Sequence, residues 1–194
     1  MPTRVVIAED EAIIRLDLKE TLEEEGYEVV GETGRGDEAV DLVRELQPEI
    51  AILDIKMPGI DGLTAARQIT AERLCAVLVL TAFSQRDLIE EARDAGALAY
   101  LVKPFQRSDL VPAIEVAVGR FRELRALAEQ TKSLEEQLET RKLLDRAKGV
   151  LMDTHGLSEV DAFSFIQKTA MSDRTTMRVI AETIIDGTLT PELS

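Results

Sequence analysis

A doubly wound, five-stranded parallel α/β sheet, followed by a long helix and a small all-helical domain, is the architecture this chain predicts. Two patterns carry that expectation. Up to Val102, short runs of apolar, largely β-branched residues alternate about five times with amphipathic segments, as buried parallel strands and their crossover helices do. Beyond Pro104 no strand pattern recurs, and apolar residues return at helical spacing. A length of 194 residues at 45% hydrophobic composition supports one ordinary domain plus a smaller one.

Taken in order, Arg4-Val5-Val6-Ile7-Ala8 reads as the first strand, and Ile13, Ile14, Leu18 and Leu22 mark a helix that Gly26 ends. Tyr27 to Gly31 reads as a second strand, and Ala39, Val40, Val43 and Leu46 as the next helix, closed by Pro48. Ile50-Ala51-Ile52-Leu53-Asp54 is the clearest buried strand. Val77 to Thr81 and Leu98 to Val102 supply two more, each after helical periodicity. From Asp109 to about Leu138 a helix carries Leu110, Ile114, Ala117, Phe121 and Leu124, then Leu127, Thr131, Leu134 and Leu138 after one three-residue hitch. The early part of that stripe suits a cover for the sheet; past Phe121 a partner helix is the better cover, as in a coiled coil. Three short helices complete the chain. The first, with Leu144, Ala147 and Leu151, stops at His155-Gly156. Ser158 with Asp161 forms a capping box opening the second, whose inward residues are Ala162, Phe163, Ile166 and Ala170. Ser172-Asp173 opens the third, with Met177, Ile180, Ala181 and Ile184 inward. The expected boundaries are 1–120 for the sheet domain, 121–138 for the coiled-coil-like linker and 139–194 for the helical domain.

Composition narrows the function. A net charge of -14 excludes a globally basic nucleic-acid binder but not a local basic face. One Cys and one His exclude a disulfide framework and all but exclude a structural zinc site. No signal-length apolar segment follows Met1, so a cytoplasmic protein away from membranes is expected.

In a doubly wound sheet the carboxyl ends of the strands form the functional rim. Here those ends hold Glu9-Asp10, Asp54, Thr81 and Lys103. Carboxylates crowded together repel one another unless a cation sits among them, and an all-oxygen set selects a hard ion such as Mg²⁺. Glu9, Asp10 and Asp54, with the Lys56 main-chain carbonyl, are the candidate ligands. Asp54 is the candidate nucleophile toward phosphorus; Lys103 supplies charge to the transferring oxygens, and the Thr81 hydroxyl hydrogen-bonds the product. Each residue alone has an ordinary explanation as a helix-dipole partner, a turn residue, a β-former or a solvated charge; their coincidence at strand ends overturns those explanations.

Val5-Val6-Ile7-Ala8-Glu9-Asp10-Glu11, Leu53 to Gly62, Leu80-Thr81-Ala82 and Tyr100-Leu101-Val102-Lys103-Pro104-Phe105 together resemble the receiver domain of two-component response regulators, over about Arg4 to Arg120. The resemblance implies a flavodoxin-like fold, phosphoryl transfer to Asp54 from a phosphohistidine on a sensor histidine kinase, Thr81 and Tyr100 as switch residues, and a cis peptide before Pro104. It implies a signalling phosphoacceptor and not an enzyme acting on other substrates.

From Glu139 onward seven basic side chains face nine acidic ones, against 16 and 28 before it, so most of the acidity lies in the first part of the chain. Arg141, Lys142, Arg146 and Lys148 fall within about half of one helix circumference, and Arg174 and Arg178 are one turn apart. Arg141 to Met152, with Ser158, Ala162-Phe163, Ala170-Met171-Ser172 and Ala181, resembles the ANTAR module of antitermination regulators. That resemblance implies binding of RNA stem-loops by paired modules, which points to a homodimer on activation, and makes Arg141, Arg146, Lys148, Lys168, Arg174 and Arg178 the candidate RNA contacts. Ala147 is read as tight helix packing, Gly149 as a place where RNA or another backbone can come close, and Phe163 and Met171 as core. A DNA-binding transcription regulator or a protein-interaction output are the alternatives. The isoleucines and acids of Met177 to Gly187 disfavour a DNA-reading helix.

Overall fold

The computed structural model describes residues 2–82 and 86–190, with Arg86 and Asp87 described by their backbone alone. Contacts divide the chain into two compact units, Met1–Ala126 and Leu127–Ser194.

The first unit alternates β1 (Arg4–Ala8), α1 (Ala12–Glu24), β2 (Glu28–Thr33), α2 (Gly36–Leu46), β3 (Ile50–Asp54), α3 (Gly62–Ala71), β4 (Ala76–Thr81), α4 (Arg86–Asp94) and β5 (Ala99–Val102), then enters α5 (Arg107–His155). All strand pairs are parallel, in the order β2-β1-β3-β4-β5, so the winding reverses beside β1 and β3. Every residue of β3 and β4 is buried, which is why both read as unbroken apolar runs. Alternate side chains feed two cores. Val6, Ala8, Ala51, Leu53, Val77 and Val79 pack against α2 and α3, while Val5, Ile7, Ile50, Ile52, Leu78 and Leu80 pack against α1 and the start of α5.

Strand limits agree with the sequence reading to within two residues. Gly26 ends the α1 turn at φ +88°, and Gln47 takes a left-handed conformation before Pro48. One assignment changes within α1: Ile13 is 84% exposed, and Leu18 and Leu22 carry the inward face. Cys75, the sole cysteine, lies buried between α3 and β4, and burial pushes its thiol pKa up to about 12.

Leu110, Ile114, Ala117 and Val118 of α5 are buried against the sheet. Further along, Leu124, Leu127, Leu134 and Leu138 are 54–62% exposed. The helix does not break near Glu139: α5 runs unbroken over 49 residues, so the first of the three expected short helices is its C-terminal part, ending at His155 with Gly156 at φ +65°.

The second unit packs that part of α5 against α6 (Glu159–Ser172) and α7 (Met177–Ile185). Its core is Ala147, Leu151, Ala162, Ile166, Ala170, Ile180, Ala181 and Ile184. Ser158 caps α6: its hydroxyl accepts from the Asp161 amide at 3.2 Å and donates to the Asp161 carboxylate at 2.6 Å. So small a core depends on such caps, and Ser158→Ala is expected to cost about 1 kcal/mol by urea denaturation. A loss confined to a few tenths would show the cap to be dispensable.

Three expectations for this unit are corrected. Ser172 and Asp173 end α6; the cap of α7 is Thr176, whose hydroxyl accepts from the Val179 amide at 3.4 Å. Phe163 is 40% and Met171 74% exposed, because they lie on the outer face of α6, and Phe165 packs inward instead. No helix of the described residues is long and apolar enough to cross a membrane.

Candidate functional site

Parallel pairing carries four strand ends to one rim. Registry places Ala8 beside Leu53 and Asp54 beside Leu80, so the residues following β1 lie next to the end of β3. Main-chain bonds tie the rim together: Glu9 donates to Thr33 at 3.0 Å, Ile55 to Leu80 at 3.1 Å, and Lys103 to Thr81 at 2.7 Å.

At this rim Glu9, Asp10 and Asp54 each offer a carboxylate oxygen, all within 4.8 Å of one another. Glu9 is fully buried, Asp54 nearly so, and Asp10 opens to solvent. The Lys103 ammonium lies 2.5 Å from Glu9 Oε2 and 2.6 Å from Asp54 Oδ1, bridging the two buried acids. Burial raises the Glu9 pKa, with the Asp54 charge adding to the rise and the Lys103 hydrogen bond opposing it. For Lys103, burial works against the ammonium, yet its bonds to Asp54 and Glu9 outweigh that and raise its pKa. The other Asp54 oxygen, Oδ2, accepts from the Lys56 amide at 2.8 Å. Among the described residues no buried side-chain polar atom lacks a partner.

Three negative groups against one fixed positive group leave the rim short of positive charge. Oxygen-only donors at this spacing fit a hard divalent cation. The sequence-derived set Glu9, Asp10, Asp54, Thr81 and Lys103 thus gathers at one place. Thr81 is buried at the end of β4, the peptide before Pro104 is cis, and Tyr100 on β5 is 44% exposed.

Supporting contacts escaped sequence reading. The Arg15 guanidinium, from α1, donates to the Glu9 carbonyl and so clasps the turn that carries Glu9 and Asp10. The Thr33 hydroxyl donates to Glu38 at 2.5 Å and accepts from the Arg35 amide at 3.1 Å, fixing the neighbouring loop. Two glycines permit close packing around Asp54: a Cβ at Gly62 would fall 1.9 Å from the Asp54 carbonyl oxygen, and one at Gly36 2.1 Å from that of Ile60. The Pro58-Gly59 and Gly62 signals were visible in the sequence; nothing local marked Gly36 or Arg15.

In the second unit the basic residues divide. Lys148 is held by Asp145 at 2.9 Å and Glu159 at 2.8 Å, and Arg178 by Glu182 at 3.1 Å. Arg141 lies near enough to Asp145 to lower that carboxyl's pKa, after the larger effect of Lys148. Arg146, Lys168 and Arg174 are exposed, Arg174 in a left-handed conformation at the end of α6. Ala147 is fully buried, whereas a Cβ at Gly149 would meet nothing within 4 Å.

Comparison with known proteins identifies the family of each part of the chain. The family model for the response regulator receiver domain matches residues 5–115, and that for the ANTAR domain matches residues 132–185. The transcriptional regulatory protein PdtaR of Mycobacterium tuberculosis is 58% identical over 99% of this chain and 94% of its own length. The chemotaxis protein CheY of Thermotoga maritima is 40% identical over 59% of this chain and 96% of its own. Among solved structures, the receiver domain of the putative response regulator NarL from Mycobacterium tuberculosis superposes with a TM-score of 0.59 at 29% identity, covering 61% of this chain and 97% of that one.

Proposed function

Because the chain belongs to the response regulators, with a receiver domain followed by an ANTAR domain, we propose that Asp54 accepts a phosphoryl group from a sensor histidine kinase and that the phosphorylated state promotes transcription antitermination by binding RNA stem-loops. The observation that carries the first half is the Lys103 ammonium set between Glu9 and Asp54 at the open rim.

An Asp54 carboxylate oxygen attacks phosphorus, the donor's histidine nitrogen leaves, and an acyl phosphate results. Glu9, Asp10 and Asp54, with the Lys56 carbonyl, would hold Mg²⁺, which supplies positive charge toward the phosphoryl oxygens. Lys103 shifts its ammonium from the free carboxylate to the new phosphoryl oxygens, and the Thr81 hydroxyl hydrogen-bonds one of them. Tyr100 reports the change at the surface of β5. The chain's own chemistry ends with this modification.

For the output we assign 1–120 to the receiver, 121–138 to the linker and 139–194 to the RNA-binding domain. The leucines exposed between Leu124 and Leu138 suit pairing with the same stripe of a second copy, and a dimer brings two RNA-binding domains to paired hairpins at high effective concentration. Arg141, Arg146, Lys168 and Arg174 are the readiest phosphate contacts; Lys148 and Arg178 join them by leaving their carboxylates. Kinase coupling and transcript binding place the protein in the cytoplasm.

The test compares the full chain with and without beryllofluoride and Mg²⁺, measuring mass by sedimentation and affinity for a two-hairpin RNA and a DNA duplex at matched salt. A larger mass and at least about tenfold tighter hairpin binding are expected, the size of an ordinary allosteric coupling. No change in either quantity overturns the reading, and preference for the duplex favours a DNA-binding output. Gly149 gives a sharper check. A glycine inside a helix costs about 0.5–1 kcal/mol relative to alanine, and no neighbour in the chain requires it. Gly149→Ala should therefore raise thermal stability while weakening hairpin binding. Unchanged affinity would remove Gly149 from the RNA surface.

A further inference from the structure

At the opposite end of the sheet from Asp54, the turns leading into β3 and β4 and the α5 residues beside them enclose a cleft of about 350 Å³. We infer that this cleft binds a mononucleotide, an aromatic ring carrying a phosphate.

Its apolar wall is Pro48, Leu74 and Phe121, and its polar wall contains Arg73, Arg122 and Arg125. Arginine planes and a phenylalanine face are the groups that take phosphate and ring together. The acid in the wall, Glu49, is already engaged: its carboxylate takes Arg122 at 2.6 Å and the Arg4 amide at 3.2 Å. A concentration of arginine is unexpected on a chain of net charge -14, where acidic side chains dominate the surface. A volume of 350 Å³ falls at the lower end of the range of small-molecule sites, a size that suits one nucleotide.

Backbone conformation adds a second observation. Three non-glycine residues of the described chain have positive φ, and two of them, Gln47 at +46° and Arg73 at +54°, lie in this wall. Each follows a helix at the position where glycine adopts the left-handed turn without penalty. The α3 turn closes through Arg73 N–H donating to Thr70 at 3.1 Å and Leu74 N–H to Ile69 at 3.1 Å, bonds that glycine would make equally well. The turn therefore does not need the arginine side chain, which points to a role for it outside the fold. That role is to meet the phosphate, with Arg125 on the far side, Arg122 keeping Glu49 paired, and Phe121 beneath the ring.

The experiment titrates the full chain, without Mg²⁺, with GMP, AMP, guanosine and inorganic phosphate by calorimetry, for wild type, Arg73→Gly and Asp54→Asn. Removing Mg²⁺ and including Asp54→Asn separates this site from the phosphoacceptor rim. Expected are saturable binding of at least one nucleotide, at least tenfold weaker binding of guanosine and of phosphate, a loss of at least tenfold in Arg73→Gly, and no change in Asp54→Asn. Arg73→Gly should keep or raise the melting temperature, so lost binding would not reflect lost folding. The inference is overturned if neither nucleotide binds at millimolar concentration, if phosphate alone binds as well as the nucleotide, or if Arg73→Gly binds like wild type.

Discussion

Replacing Asp54 by Asn will abolish phosphoryl uptake from acetyl phosphate while leaving the fold intact. The amide oxygen is too weak a nucleophile to form the acyl phosphate, so hydroxylamine-sensitive labelling should fall to background. The fold should survive because Glu9 and Lys103, 2.5 Å apart, remain as a balanced pair when the second buried carboxylate goes. The single oxygen of the new amide can accept either from the Lys56 amide, now 2.8 Å from Oδ2, or from Lys103, now 2.6 Å from Oδ1, so one of the two bonds is given up. We expect a stability change within about 1 kcal/mol by urea denaturation, the size of one altered hydrogen bond. Labelling that persists would move the acceptor elsewhere, Asp10 being the solvent-open carboxylate of the cluster.

The largest stability effect belongs to Lys103→Met. It leaves Glu9 and Asp54 buried side by side with no fixed positive partner, and removing one member of a buried charged set typically costs about 3–5 kcal/mol. In metal-free buffer the loss should grow with pH. Glu9 already titrates above the usual carboxylate range, chiefly because of burial, and without Lys103 it goes higher. A folded-state pKa above the unfolded one favours folding while the group is protonated, and that contribution fades as pH rises through the folded value. Mg²⁺ should stabilise this variant more than wild type, since it alone then offsets three carboxylates. Equal Mg²⁺-induced melting shifts in the two proteins would show that lysine and metal do not share the acidic cluster.

Most of the receiver site was legible because its residues stand at strand ends, and strands were marked by local apolar runs such as Ile50 to Leu53. Parallel pairing then brings such ends together whatever the details of the loops. What escaped depends on contacts between segments with no common local signal. Arg15 gives no hint in sequence that it clasps the Glu9 carbonyl, and Lys148 none that Glu159, eleven residues on, takes its ammonium. In the helical unit, periodicity found the core stripes but not which of two aromatics packs inward, since Phe163 and Phe165 flank the Ala162, Ile166 and Ala170 stripe of α6 on opposite sides. Ser172 and Thr176 are both plausible caps; the bond from the Val179 amide selects the second.

The burial of Cys75 has a practical consequence. Its thiol is shielded and stays protonated near neutral pH, where maleimides and methanethiosulfonates attack the thiolate. A cysteine introduced on the surface would then be the only one to take a fluorophore or a spin label, without first engineering the native residue away. Placed in turn along the exposed leucine stripe, such labels would report whether two chains pair there, with and without beryllofluoride and Mg²⁺.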